Sequence, residues 1–179
     1  MDSSTSTNGH SFNSATHGKV NVEEIISIIK TFLEEEPDFE YSLVIGTDSH
    51  EKKIADGPQP TNGTRTINLV TAVLIHRKGF GGKYFWVRNE MPNIHNLREK
   101  IYAETLASLN FAISFVPLLK KTLNGKAPNY NLEIHVDVGE HGDTRDMIKE
   151  VVGMVTGNGF VAKTKPYAYA ASYVADKHT

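Results

Sequence analysis

The segment Tyr41-Ser42-Leu43-Val44-Ile45-Gly46-Thr47-Asp48 decides the fold. Seven residues of apolar or small character, bounded by polar stretches, predict a short buried strand over Tyr41–Thr47, with Asp48 at its C-terminal end. Downstream, Ile67–Ile75 is β-branched and apolar, and Tyr84–Arg88 resumes strand composition after the turn-forming Gly79, Gly81 and Gly82. These segments predict a three-stranded meander.

Upstream, Val20–Glu36 reads as a helix with Asn21 as N-cap and acidic residues in its first turn, ending near Pro37. Residues 1–19 are rich in Ser, Thr, Asn, Gly and His and are expected to form a mobile tail, leaving 20–179 as one domain. Residues 51–64 carry strong turn signals and read as a long connection. A long helix is expected from about Ile94 to Val116, with Pro117 allowing a kink or an early end. Leu132–Val138 is the fourth strand, Asp143 caps a helix through Met154, Phe160–Thr164 is a fifth strand, and Tyr167–Lys177 is a last helix. This order is that of an α/β protein in which a meander joins crossover units.

Composition narrows the function. The chain is 39% hydrophobic and 22% charged, values of an ordinary globular protein. No stretch reads as apolar enough to span a bilayer and no signal-peptide pattern is present, so a cytoplasmic location without membrane partners is expected. The absence of cysteine excludes disulfides, thiolate metal sites and cysteine nucleophiles, which leaves oxygen and imidazole for any metal. A net charge of −2 speaks against a broadly basic surface that grips nucleic acid by neutralising phosphates.

At 100° per residue, Leu97, Ile101, Ser108, Phe111, Phe115 and Leu119 share one arc of the long helix, and Glu104 falls inside it. A carboxylate on a core-facing stripe needs a cation, a hydrogen-bond network or a raised pKa, unless the residue sits at a wet edge. Asp48 and Asp137 each lie near the end of an apolar strand, where open α/β sheets bind ligands and where capping aspartates are also common. Asp176, on a segment whose Ala168, Ala171 and Ala175 permit close approach to a sheet, is either a fourth member of the set or a solvated terminal residue. Hard cations such as Mg²⁺ and Mn²⁺ prefer oxygen ligands, and two of them ~4 Å apart activate a water and stabilise the leaving oxygen in phosphodiester hydrolysis.

The residues Ile45-Gly46-Thr47-Asp48-Ser49, Arg98 to Glu104, His135 to Gly139, Thr144-Arg145, Val152 to Met154, Lys165-Pro166 and Ala171 to Asp176 together resemble the ribonuclease H-like superfamily. Within it they are most similar to the bacterial YkuK-type family, over about Val20 to Thr179. The resemblance implies a five-stranded mixed sheet of order 3-2-1-4-5 with helices on both faces, here with an extra N-terminal helix. It also implies metal-dependent cleavage or strand transfer of RNA, DNA or hybrid phosphodiesters. Carried over by position, Asp48 would bridge two Mg²⁺ or Mn²⁺ ions, Glu104 and Asp137 would complete the shells, and Asp176 would hold the second ion. No extended basic arm of the kind some relatives use for RNA–DNA hybrids is present.

Ser49, Arg145, Lys163 and Lys165 are candidate substrate contacts, from positions where a donor or cation could meet a phosphate; solvated surface charge is the bland alternative for the three cations. His50 and His141 could position a ligand or move a proton. Zinc is disfavoured, since no His-Glu-x-x-His pair and no cysteine exist. A phosphate loop and a nucleophile-elbow serine are likewise without their motifs. Two functional readings follow: a metal-dependent nuclease, or a nucleic-acid-binding or regulatory module that keeps the fold and does not cleave.

Overall fold

The computed structural model describes residues 11–51, 65–125, 130–140, 144–169 and 177–178. The elements in chain order are β1 (Phe12–Ser14), β2 (Gly18–Val20), α1 (Val22–Glu35), β3 (Tyr41–Glu51), β4 (Arg65–Arg77), β5 (Gly81–Ile94), α2 (Leu97–Leu123), β6 (Tyr130–His135), a short 3₁₀ turn (Arg145–Met147), α3 (Ile148–Gly157) and β7 (Val161–Lys163). The strands form one mixed sheet of order β2-β1-β5-β4-β3-β6-β7. Its last five strands carry the expected 3-2-1-4-5 order. The sheet nevertheless has seven strands rather than five, because β1 and β2 extend it past β5.

That extension corrects the reading of residues 12–19 as part of a mobile tail. Phe12 is 1% exposed and packs on Phe111 of α2 with ring centroids 5.3 Å apart, while Asn13 pairs with Trp86 on β5. Burial of Phe12 and Val20 together with the pairing of β1 to β2 and β5 offsets the cost of ordering a short hairpin.

Helix α1 starts at a complete capping box: the Asn21 side chain accepts from the Glu24 backbone N–H, and the Glu24 carboxylate accepts from the Asn21 N–H. Helix α2 runs through Pro117 instead of stopping there. Leu119 and Leu123 continue its buried stripe beyond the proline, and their burial offsets a penalty of roughly 3 kcal/mol. By length and composition α2 is long and apolar enough to cross a membrane, contrary to the sequence reading; half of the apolar window is buried inside the protein. Leu97, placed on its inward arc, is 43% exposed, at the first residue of the helix, where it lines an open cleft.

Alternation sorts the sheet residues into two faces. Leu43, Ile45, Val73, Ile75, Phe85, Val87 and Ile134 belong to one apolar core with side chains of α1, α2 and α3. On the other face Val44, Val70 and Ala72 are fully buried as well. The described residues that touch that face come from the C-terminal segment: the Tyr169 ring meets His135 edge-on at 4.8 Å, and His178 stacks on Trp86 at 3.7 Å. The last helix expected over Tyr167–Lys177 lies largely outside the described residues, as do Asp143 and the 52–64 connection.

Candidate active site

Strand β3 is the hinge of the topology. It pairs antiparallel with β4 along its whole length, but parallel with β6 only from Tyr41↔Tyr130 to Gly46↔His135. Past that point β3 continues to Glu51 beside β4 alone, so Asp48 lies inside the strand rather than at its end. The chain after β6 instead follows β7: the Val136 N–H donates to the Lys163 carbonyl (2.9 Å) and the Lys165 N–H to the Val138 carbonyl (2.8 Å). The two central strands therefore part at their C-terminal ends, the place where α/β sheets bind ligands.

Asp48 and Asp137 flank this opening. Each stands two residues beyond the last paired positions, Gly46 and His135, and they are near enough for the Asp137 charge to act on Asp48. Glu104 enters from the opposite layer. It is 5% exposed, and its Oε1 accepts a 2.7 Å hydrogen bond from the Ser49 hydroxyl, which faces α2 because Ser49 is one residue past Asp48. One helical turn further, the Ser108 hydroxyl donates to Thr47 Oγ1 at 2.8 Å, and Thr47 shares a 2.9 Å hydrogen bond with Thr71. This buried hydroxyl chain ties α2 to β3 and β4 directly beneath Glu104.

The electrostatics agree with one coupled group. Burial pushes the Glu104 carboxyl up to about 7; Ser49 and Lys100 pull it down, while Asp48 and Asp137 push it further up. Burial also raises Asp48, against the Ser49 backbone N–H, Lys100 and His50, with Asp137 adding to the rise. Burial lowers the pKa of His135, whose Nε2 lies 3.1 Å from Glu133 Oε2.

Two lysines stand at the acids. Lys100 Nζ is 3.5 Å from Glu104 Oε1 and Lys165 Nζ is 2.9 Å from Asp137 Oδ1. The angle of the second approach leaves that buried oxygen without a hydrogen bond. Lys165 was a sequence candidate; Lys100 was missed, although its position one turn before Glu104 was a usable signal. Each lysine also lines a cleft. One, of about 290 Å³, includes Arg65, His95 and Asn96; the other, of about 590 Å³, includes Thr164 and Tyr167.

The remaining candidates are more dispersed. Lys163 pairs with Glu133 at 3.9 Å, and Arg145 is exposed at the start of the 3₁₀ turn. His50 is exposed beside Asp48, and Asp176 and His141 lie outside the described residues. Among the described residues no three acidic or imidazole groups stand close enough to hold a metal ion as they are. The donor set itself fits a hard divalent cation: three carboxylates in mutual electrostatic reach, one with a buried oxygen lacking a hydrogen bond and the other two raised by burial.

A family model described as ribonuclease H-like matches residues 24–179. The chain belongs to the ribonuclease H-like family. A relative within reach of this ribonuclease H-like chain is "Uncharacterized protein YkuK" of Bacillus subtilis (strain 168), 29% identical over 177 residues, which cover 94% of this chain and 96% of the relative. No solved structure matches. The ribonuclease H-like assignment agrees with the β5-β4-β3-β6-β7 core and spans β3 and α2, which carry Asp48 and Glu104, and the segment after β6 that carries Asp137.

Proposed function

We propose that the protein is a nuclease that hydrolyses RNA or DNA phosphodiesters with two Mg²⁺ or Mn²⁺ ions, held by Asp48, Glu104, Asp137 and Asp176. The observation that carries this reading is that buried Glu104 feels the charges of both Asp48 and Asp137, which lie just beyond the last paired residues of the parted strands β3 and β6. When bound, such ions supply water activation and stabilisation of the leaving oxygen. The chain's own part is to gather the carboxylates on rigid strands and a helix, to orient Glu104 through the Ser49 hydroxyl, and to offer Lys165 toward a phosphate.

A second reading is favoured by a specific observation: the three described acids do not form a ready ion site, and lysines stand at two of them. On that reading the domain binds nucleic acid or regulates without cleaving.

Purified protein with labelled RNA, DNA and hybrid, in Mg²⁺ or Mn²⁺ and in chelator, separates the two. The nuclease reading expects metal-dependent cleavage that Asp48→Asn and Glu104→Gln abolish. Binding without cleavage supports the second reading, and cleavage that survives both substitutions removes these residues from the mechanism. Small phosphoesters in the same assay report whether the substrate is instead a monoester.

A further inference from the structure

We propose that Lys100 and Lys165 are exchangeable counter-ions of the acid cluster, holding Glu104 and Asp137 by charge until a divalent cation replaces them. This rests on the divalent-cation reading above.

The placement of both lysines is built by the fold. Lys165 is anchored through its backbone N–H to the Val138 carbonyl, which brings its side chain alongside Gly139. A Cβ at Gly139 would lie 3.2 Å from the Lys165 Cβ, so a glycine there leaves room for the lysine stem. Lys100 occupies the same face of α2 as Glu104, one turn earlier, and acts on Asp48 as well. Each clustered acid therefore feels at least one ammonium.

Three carboxylates in mutual electrostatic reach repel each other, and nearby positive charge offsets that repulsion in the absence of metal. Ammonium groups suit an exchange better than a permanent role. The Lys100 and Lys165 side chains are 31% and 53% exposed, so their ion pairs are screened and weak enough to break, whereas a doubly charged ion gains attraction from several carboxylates at once. Their flexible stems line the two flanking clefts, which give the displaced ammoniums a place to go.

The test uses the purified full chain, stripped with chelator and titrated calorimetrically with MnCl₂, with melting temperature measured before and after. Lys100→Met and Lys165→Met should each lower the metal-free melting temperature. They should tighten Mn²⁺ binding by about three- to tenfold. Lys165→Arg, which retains the charge, should track the wild type. Wild-type Mn²⁺ uptake with unchanged or weaker uptake in both methionine variants overturns the exchange while leaving the metal site standing. No Mn²⁺ uptake by any of these proteins overturns the metal reading and the exchange with it.

Discussion

The hydroxyl of Ser49 on β3 donates a 2.7 Å hydrogen bond to Oε1 of Glu104 on α2, across 55 residues of sequence. It compensates a buried carboxylate that would otherwise rely on Lys100 alone. Ser49→Ala should therefore cost about 1–3 kcal/mol. Urea denaturation at pH 8, where Glu104 carries its charge, measures this; a midpoint equal to the wild type would mean that the bond contributes nothing.

Glu104 also sets a pH dependence. Its carboxyl is raised from 4.5 to about 7 in the folded chain. Below pH 4.5 both states are protonated; between 4.5 and 7 the unfolded chain releases a proton that the folded chain keeps. Stability should thus fall as pH rises across that window, by about 3 kcal/mol, and level off above it. Asp48 is raised too and acts in the same direction. In Glu104→Gln this contribution vanishes, so the variant should gain on the wild type with rising pH. Denaturation midpoints in chelator from pH 4.5 to 8 check it, and parallel curves for the two proteins would refute it.

Thr47 sits between two buried hydroxyls, accepting from Ser108 and sharing a hydrogen bond with Thr71. Thr47→Val keeps the shape and strands both partners, so a loss of about 1–3 kcal/mol is expected. Adding Ser108→Ala should recover part of it, because one unsatisfied group is removed. A double-mutant cycle by chemical denaturation reads the coupling.

Phe12 tests the N-terminal hairpin. With the ring 1% exposed and packed on Phe111, Phe12→Ala should destabilise the protein by about 3 kcal/mol. An unpacked tail would show no change in a thermal or urea melt.

Much of the fold was legible because its signals are local. Asn21 was legible as the N-cap of α1, the apolar runs at 41–47 and 67–75 became β3 and β4, and that at 132–138 gave β6, which starts at Tyr130 and ends early, at His135. The inward placement of Glu104 followed from helical periodicity, and burial answered the choice between core and wet edge. The hairpin at 12–20 was not legible, since nothing near Phe12 says that Phe111 waits for it. Of the kink or early end that Pro117 allows, the early end is excluded for the same reason: distant packing of Leu119 and Leu123 carries the helix on.

The core strands β3 and β4, helix α1 with its Asn21 cap and the inward arc of α2 that holds Glu104 were thus legible in the sequence alone, since backbone geometry repeats at 3.6 and 2 residues wherever the chain lies. The register between β3 and β6, whose pairing ends two residues before Asp48 and Asp137, was decided only in three dimensions. So were the pairing of Lys165 with Asp137 and the depth to which Glu104 is buried. Alignment of strands far apart in the chain depends on how whole faces pack together, and no local spacing encodes that.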